Sequence, residues 1–141
     1  MSEAEYNFSK IANITLNMQQ GVTFKRRWRF YFKDETSTPF PIFDDLGEPL
    51  WKGRCMFRAS YDAALPLLSL DSDGGGVSLD YIDNPDGTRD VFYGLYVSAD
   101  DSATVPAAKT HVYDIELERL SDGWVIRPQK GKLIVDPEAT K

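Results

Sequence analysis

The chain has 141 residues, enough for one domain, and 42% hydrophobic content lets that domain bury a real core. Its formal charge of −6, from 16 basic and 22 acidic residues, argues against nucleic acid as the main partner, because phosphate binding needs a surplus of Lys and Arg. Cys55 is the only cysteine and His111 the only histidine, which excludes an intrachain disulfide and an all-cysteine zinc site and leaves little room for a Ser-His-Asp triad.

Residues 1–10 read as a flexible arm. Their opening, Met1-Ser2-Glu3-Ala4-Glu5, is acidic and polar and does not resemble a secretory signal, and no apolar run along the chain reaches membrane-spanning length. The expected setting is therefore a cytoplasm, or an object assembled in one. A short strand is expected over 11–18, with Ile14, Leu16 and Met18 on one face. Gln19-Gln20-Gly21 then turns into the most regular stretch of the chain, residues 22–33. Val22, Phe24, Trp28, Phe30 and Phe32 take even positions there, with Arg26 the exception, while Thr23, Lys25, Arg27, Arg29, Tyr31 and Lys33 take odd ones. Period 2 over this length predicts a long, half-buried strand of antiparallel type.

A loop is expected over 34–47, broken by Pro39, Pro41 and Asp44-Asp45. Residues 51–59 alternate again: Trp51, Gly53, Cys55, Phe57 and Ala59 face one way, Lys52, Arg54, Met56 and Arg58 the other. Residues 60–70 fit either a short strand or an irregular edge. Asp71 to Gly76 form a turn, 77–82 a strand, and Asn84-Pro85-Asp86-Gly87 a turn in which Pro fixes φ and Gly supplies positive φ. A strand over 91–98 points Val91, Tyr93, Leu95 and Val97 inward, and 99–108 has room for a single helical turn. Strand 111–119 buries Tyr113, Ile115 and Leu117 and turns Asp114, Glu116 and Glu118 outward. Ser121-Asp122-Gly123 makes a hairpin into 124–127, and 130–135 is the last strand. Strands at this spacing predict an all-β sandwich or barrel of one domain over 11–136, followed by a tail at 137–141.

Few residues invite chemistry. The Lys25, Arg27, Arg29 stripe can bind an anion or an acidic partner. The plainer reading is that it pairs with Asp114, Glu116 and Glu118, a stripe of matching period, if the two strands are neighbours. Asp71-Ser72-Asp73-Gly74-Gly75-Gly76 starts like a calcium loop, with Asp80 and Asp83 following. However, the twelfth position is Ile82, not Glu, so an EF-hand is excluded and a turn is the plainer reading. The same glycines lack a phosphate-loop pattern. His111 reads as a partly exposed strand residue and Cys55 as a buried, inert thiol. Trp28 is expected in the core and Trp124 partly exposed; a partner surface or a sugar platform needs clustered exposed aromatics, and none is legible. No catalytic, cofactor-binding or metal-binding residue is assigned, and an enzyme is not expected.

Three stretches in order carry a resemblance. Leu16-Asn17-Met18-Gln19-Gln20-Gly21-Val22-Thr23-Phe24 opens a long strand. His111-Val112-Tyr113-Asp114-Ile115-Glu116-Leu117 precedes Asp122-Gly123. Gly131-Lys132-Leu133-Ile134-Val135-Asp136-Pro137-Glu138-Ala139-Thr140 closes the chain. Together they resemble small structural proteins of the tail and neck modules of tailed bacteriophages and prophages, similar to the N-terminal domain of phage baseplate upper proteins. The chain departs from that pattern between Pro39 and Trp51, where it is longer and keeps only Asp45-Leu46-Gly47 of a short turn. The resemblance implies an immunoglobulin-like antiparallel β-sandwich of about 7–9 strands. It also implies a virion structural role in the tail, neck or baseplate, assembled in the host cytoplasm. The partners would be other virion proteins in a symmetric multi-copy assembly, with no nucleic acid, membrane or cofactor. Two alternatives stand beside it: a capsid decoration protein, and a receptor- or carbohydrate-binding module of a tail tip.

Overall fold

Alternating apolar and polar residues become two stacked sheets in the computed structural model, which describes residues 12–31 and 39–138. The expected arm over 1–10, the last two positions of the long strand at 32–33, the loop residues 34–38 and tail residues 139–141 lie outside the described residues. In chain order the elements are β1 (Ala12–Asn13), β2 (Leu16–Gln19), β3 (Phe24–Arg29), β4 (Trp51–Arg58), β5 (Leu68–Asp71), β6 (Val77–Asp83), β7 (Arg89–Val97), α1 (Ala99–Thr104), β8 (Ala108–Arg119) and β9 (Val125–Asp136).

The larger sheet runs β1-β9-β8-β4-β5, with β2 also on β9, and the smaller runs β3-β7-β6. Pairing is antiparallel except where β1 and β2 lie parallel to β9. The order β9-β8-β4-β5 facing β3-β7-β6 is that of an immunoglobulin-like sandwich, with the first strand carried across to the β9 edge.

Several boundaries differ from the sequence pattern. Of the strand expected over 11–18, position 11 lies outside the described residues and the remainder is two short pieces. The long strand begins only at Phe24, because Gly21 turns at φ 76° and leaves Val22 49% exposed. It ends at Arg29, although Phe30 stays buried, its N–H donating to the Val91 carbonyl at 2.8 Å. The strands expected at 124–127 and 130–135 are one strand, β9. Its ladder passes Ile115↔Gln129 and then Leu117↔Ile126, so Arg127 and Pro128 together oppose Glu116. That is a β-bulge, where the missing N–H of Pro128 costs no ladder bond. The bulge also switches the face of the strand: Ile126 points inward before it, and Gln129, Gly131, Leu133 and Val135 after it.

Immunoglobulin domains often join their sheets by a disulfide. Here Cys55 is alone, and two other devices cross the core, both through Tyr93 on β7. The first is a run of aromatic contacts. Trp28 lies 5.6 Å from Tyr93, Tyr93 meets Phe30 edge-on at 5.2 Å, Phe30 stacks on Phe40 at 4.4 Å, and Phe40 lies 5.6 Å from Trp51 on β4. The second is polar. The Tyr93 hydroxyl donates to Gln129 Oε1 at 2.7 Å, Gln129 Nε2 donates to the Tyr113 hydroxyl at 2.8 Å, and Tyr113 donates to the Ile14 carbonyl at 2.7 Å. This relay links the smaller sheet, the larger sheet and the N-terminal strands. Burial pushes the Tyr113 phenol up to about 12 and the Tyr93 phenol higher still, so both remain donors across the working pH range.

Candidate interaction surfaces

The outer face of the larger sheet is a closed ladder of charge. β4 and β8 pair Lys52↔Glu118, Arg54↔Glu116 and Met56↔Asp114. Arg54 reaches Glu116 at 2.9 Å and Glu118 at 3.0 Å, and Lys52 reaches Glu118 at 3.5 Å. From the bulge on β9, Arg127 reaches Asp114 at 3.2 Å and Glu116 at 3.3 Å. The acidic stripe therefore has its partners on β4 and β9. Its expected pairing with Lys25, Arg27 and Arg29 is corrected: β3 belongs to the other sheet, and period alone does not say which strands are neighbours. Tyr61 closes one end of this face, its hydroxyl 3.3 Å from the Gly131 carbonyl, while Arg58 donates to the Ala63 carbonyl at 2.8 Å.

Burial on this face would raise Glu116, but Arg54 and then Arg127 hold its carboxyl below the ordinary value of 4.5. Such a group contributes stability that is present above the ordinary value and lost as pH falls through its lower folded value. Asp114 works the other way, because burial raises it despite Arg127. The wild-type chain is expected to lose part of its stability on acidification below pH 4.5, and Glu116→Gln to lose less over the same range. Thermal melts at stepped pH would read this, and parallel curves for the two chains would contradict it. At neutral pH, Glu116→Lys is expected to cost about 1 kcal/mol, since it places like charge beside Arg54 and Arg127. Adding Arg54→Glu should recover part of that loss and adding Arg27→Glu none, as read by denaturant unfolding.

The outer face of the smaller sheet is built differently. The register sets Lys25 beside Tyr96, Arg27 beside Gly94, and Arg29 beside Phe92. On the other side of β7, Ser78 lies beside Gly94 and Asp80 beside Phe92. Arg27 lays its guanidinium 4.2 Å over the Phe92 ring. Gly94 leaves the space: a Cβ there would sit 2.6 Å from Ser78 Oγ and 2.7 Å from the Arg26 carbonyl. Arg29 is paired with Asp90 at 3.0 Å. Arg26, the exception in the apolar series, sits opposite Leu95 on edge strand β3 yet is exposed, its guanidinium 5.7 Å from the Phe24 ring. Lys25, Arg26 and Arg27 line one groove of about 390 Å³ with Ser78, Asp80 and Tyr96. Among the described residues none of these three cations has a carboxylate within ion-pair distance. Sequence pattern found the cations. It missed Tyr96 and Ser78 and set Asp80 with the 71–76 loop instead, because only the β3-β7-β6 register brings the three to these cations.

The remaining candidates resolve into structure. Asp71 Oδ1 accepts from the Gly74 N–H at 2.6 Å and Gly75 takes φ 81°, which makes 71–76 the turn between β5 and β6. Asp83 is drawn away to Arg89 at 2.6 Å, and Asp80 faces the groove just described. Among the described residues, no group of three or more His, Cys, Asp or Glu is placed to hold a metal ion. His111, expected to be partly exposed, is 6% exposed, and its Nε2–H donates to the Pro106 carbonyl at 2.7 Å. The correction follows from its place: His111 shares the alternation of Tyr113, Ile115 and Leu117 and so lies on the buried face of β8. Cys55 is buried as expected, and desolvation holds its thiol far above the ordinary range. Trp28 packs on the core from a half-buried position, Trp124 is half-buried, and Trp51 is fully buried with its indole N–H on the Pro41 carbonyl at 3.1 Å. No helix among the described residues is long and apolar enough to cross a membrane.

No protein-family profile and no curated protein matches the chain. Among solved structures it is similar to the NK cell receptor NKp44, described as a triggering partner in natural cytotoxicity. The identity is 16%, the match covers 91% of this chain and 100% of that one, and the TM-score is 0.39.

Proposed function

We propose that this chain is a virion structural protein of a tailed phage or prophage, an adaptor or attachment piece of the tail, neck or baseplate that works by protein–protein assembly. The observation that carries the assembly part is the outer face of the smaller sheet. Three cations with no carboxylate partner among the described residues line a groove beside an exposed Tyr96, on a chain that is acidic overall. A charged and aromatic patch of that kind fits a protein partner: desolvated Tyr and Arg side chains supply contact energy, and charge sets orientation. The place in a virion comes from the ordered resemblance over residues 14–140.

The saccharide-binding alternative is less well supported. A sugar platform needs clustered exposed aromatics, and beside the exposed Tyr96 the Phe92 ring is covered by Arg27 at 4.2 Å. A deletion and complementation experiment tests the proposal. Removing the coding sequence from the encoding phage should yield incomplete, non-infectious particles, and supplying the chain in trans should restore them. Normal yields of infectious particles without it would refute the structural role.

A further inference from the structure

We infer that the basic groove on the smaller sheet receives the acidic pole of a second copy of this chain, so that the protein contacts itself through Lys25, Arg26 and Arg27 on one copy and Asp136 and Glu138 on the other. The inference rests on the assembly reading above and names its first partner.

The pole is held by hydrogen bonds to the chain before β3. Gln20 ties it together: its N–H donates to the Asp136 carbonyl at 3.0 Å, its Oε1 accepts from the Glu138 N–H at 3.3 Å, and its Nε2 donates to the Val105 carbonyl at 2.8 Å, at the end of α1. The extended segment after β9 thus stands beside the helix that carries Asp100 and Asp101. All four acids are exposed, and none has an ion-pair partner among the described residues.

The two surfaces are opposite in sign: Lys25 and Arg27 stand two residues apart on β3, while Asp136 closes β9 and Glu138 follows two residues on, just beyond it. Within one molecule no ion pair joins the two sets among the described residues. The other large charged face is no competitor, since its cations and carboxylates already pair with one another. A contact of groove to pole closes as a dimer if the two copies exchange it, or as a ring if it runs head to tail.

Sedimentation velocity on four samples tests this: the wild-type chain, Lys25→Glu/Arg27→Glu, Asp136→Lys/Glu138→Lys, and an equimolar mixture of the two variants. The wild-type chain should associate at low ionic strength and dissociate as salt is raised. Each variant alone should associate at least about tenfold more weakly, with unchanged circular dichroism showing that it is folded. The mixture should recover association, because each groove then meets a pole of opposite sign in a dimer or in a ring of alternating variants with an even number of copies. In the wild-type oligomer, a zero-length carbodiimide should join Lys25 to Asp136 or Glu138 between isotopically light and heavy copies. A wild-type chain that stays monomeric at low salt, or a mixture that stays dissociated, overturns the self-contact. If such a chain is still required for infectious particles, the groove serves a different virion protein, and the structural role survives without the self-contact.

Discussion

Gln129→Leu is expected to lower the unfolding free energy by about 2–4 kcal/mol, although Leu is the more apolar residue and the site is fully buried. Gln129 is 0% exposed, and its amide uses both ends: Oε1 accepts from Tyr93 and Nε2 donates to Tyr113. Leucine would leave the Tyr93 hydroxyl, itself buried, with no acceptor. An unmet buried donor costs more than a met one contributes. Tyr93→Phe should cost less than Gln129→Leu, because it removes one hydroxyl and keeps the ring contacts to Trp28 and Phe30. The double variant should then cost less than the sum of the two, because the phenylalanine ring carries no hydroxyl to be stranded. Urea unfolding of the three variants supplies the cycle. Strict additivity would show that Tyr93 and Gln129 do not act as a unit.

Gly131→Ala is expected to be comparably damaging, at about 2–4 kcal/mol. Where the chain passes from β1 to β2 along β9 it lies against Gly131, and a Cβ there would fall on the Ile14 carbonyl, with the Ile14 amide nitrogen only 3.1 Å away. Both contacts are backbone, so no side-chain rotation relieves them. The segment must lift, and it takes with it the Ile14 N–H bond to the Lys130 carbonyl at 3.0 Å and the Tyr113 bond to the Ile14 carbonyl at 2.7 Å. The pairings Ala12↔Gln129 and Asn13↔Lys130 would weaken with them. Amide hydrogen exchange should therefore speed up over residues 12–14 well before the rest of the sheet. Unchanged exchange there, or an unchanged melting temperature, would contradict this account of the N-terminal strands.

The two variants also mark where the sequence stops being readable. The inward residues of β4, β7 and β8 follow period 2 and were legible one by one: Trp51, Cys55 and Phe57, then Val91, Tyr93, Leu95 and Val97, then Tyr113, Ile115 and Leu117 are all buried. Gln129 was not legible, because the bulge at Arg127 and Pro128 changes which face of β9 it occupies. Gly131 looked like one glycine among ten, since its reason is a strand more than a hundred residues earlier. Much the same holds for the surface. The cationic stripe on β3 and the acidic stripe on β8 stand out in the sequence, but charge period carries no information about which sheet a strand joins. Arg26 broke the apolar series visibly, yet its role as the third cation of the groove depends on β3 being an edge strand, from which its long side chain can reach solvent.

The central claim is that the chain is a built-in part of a virus particle, and counting its copies in particles tests that most directly. Quantitative peptide mass spectrometry of gradient-purified particles, scaled to the major capsid protein, should give roughly six to a few dozen copies per particle, as closed rotational symmetry at a tail, neck or baseplate requires. Hundreds of copies would move the protein to the capsid surface. Absence from the particles would contradict the structural reading.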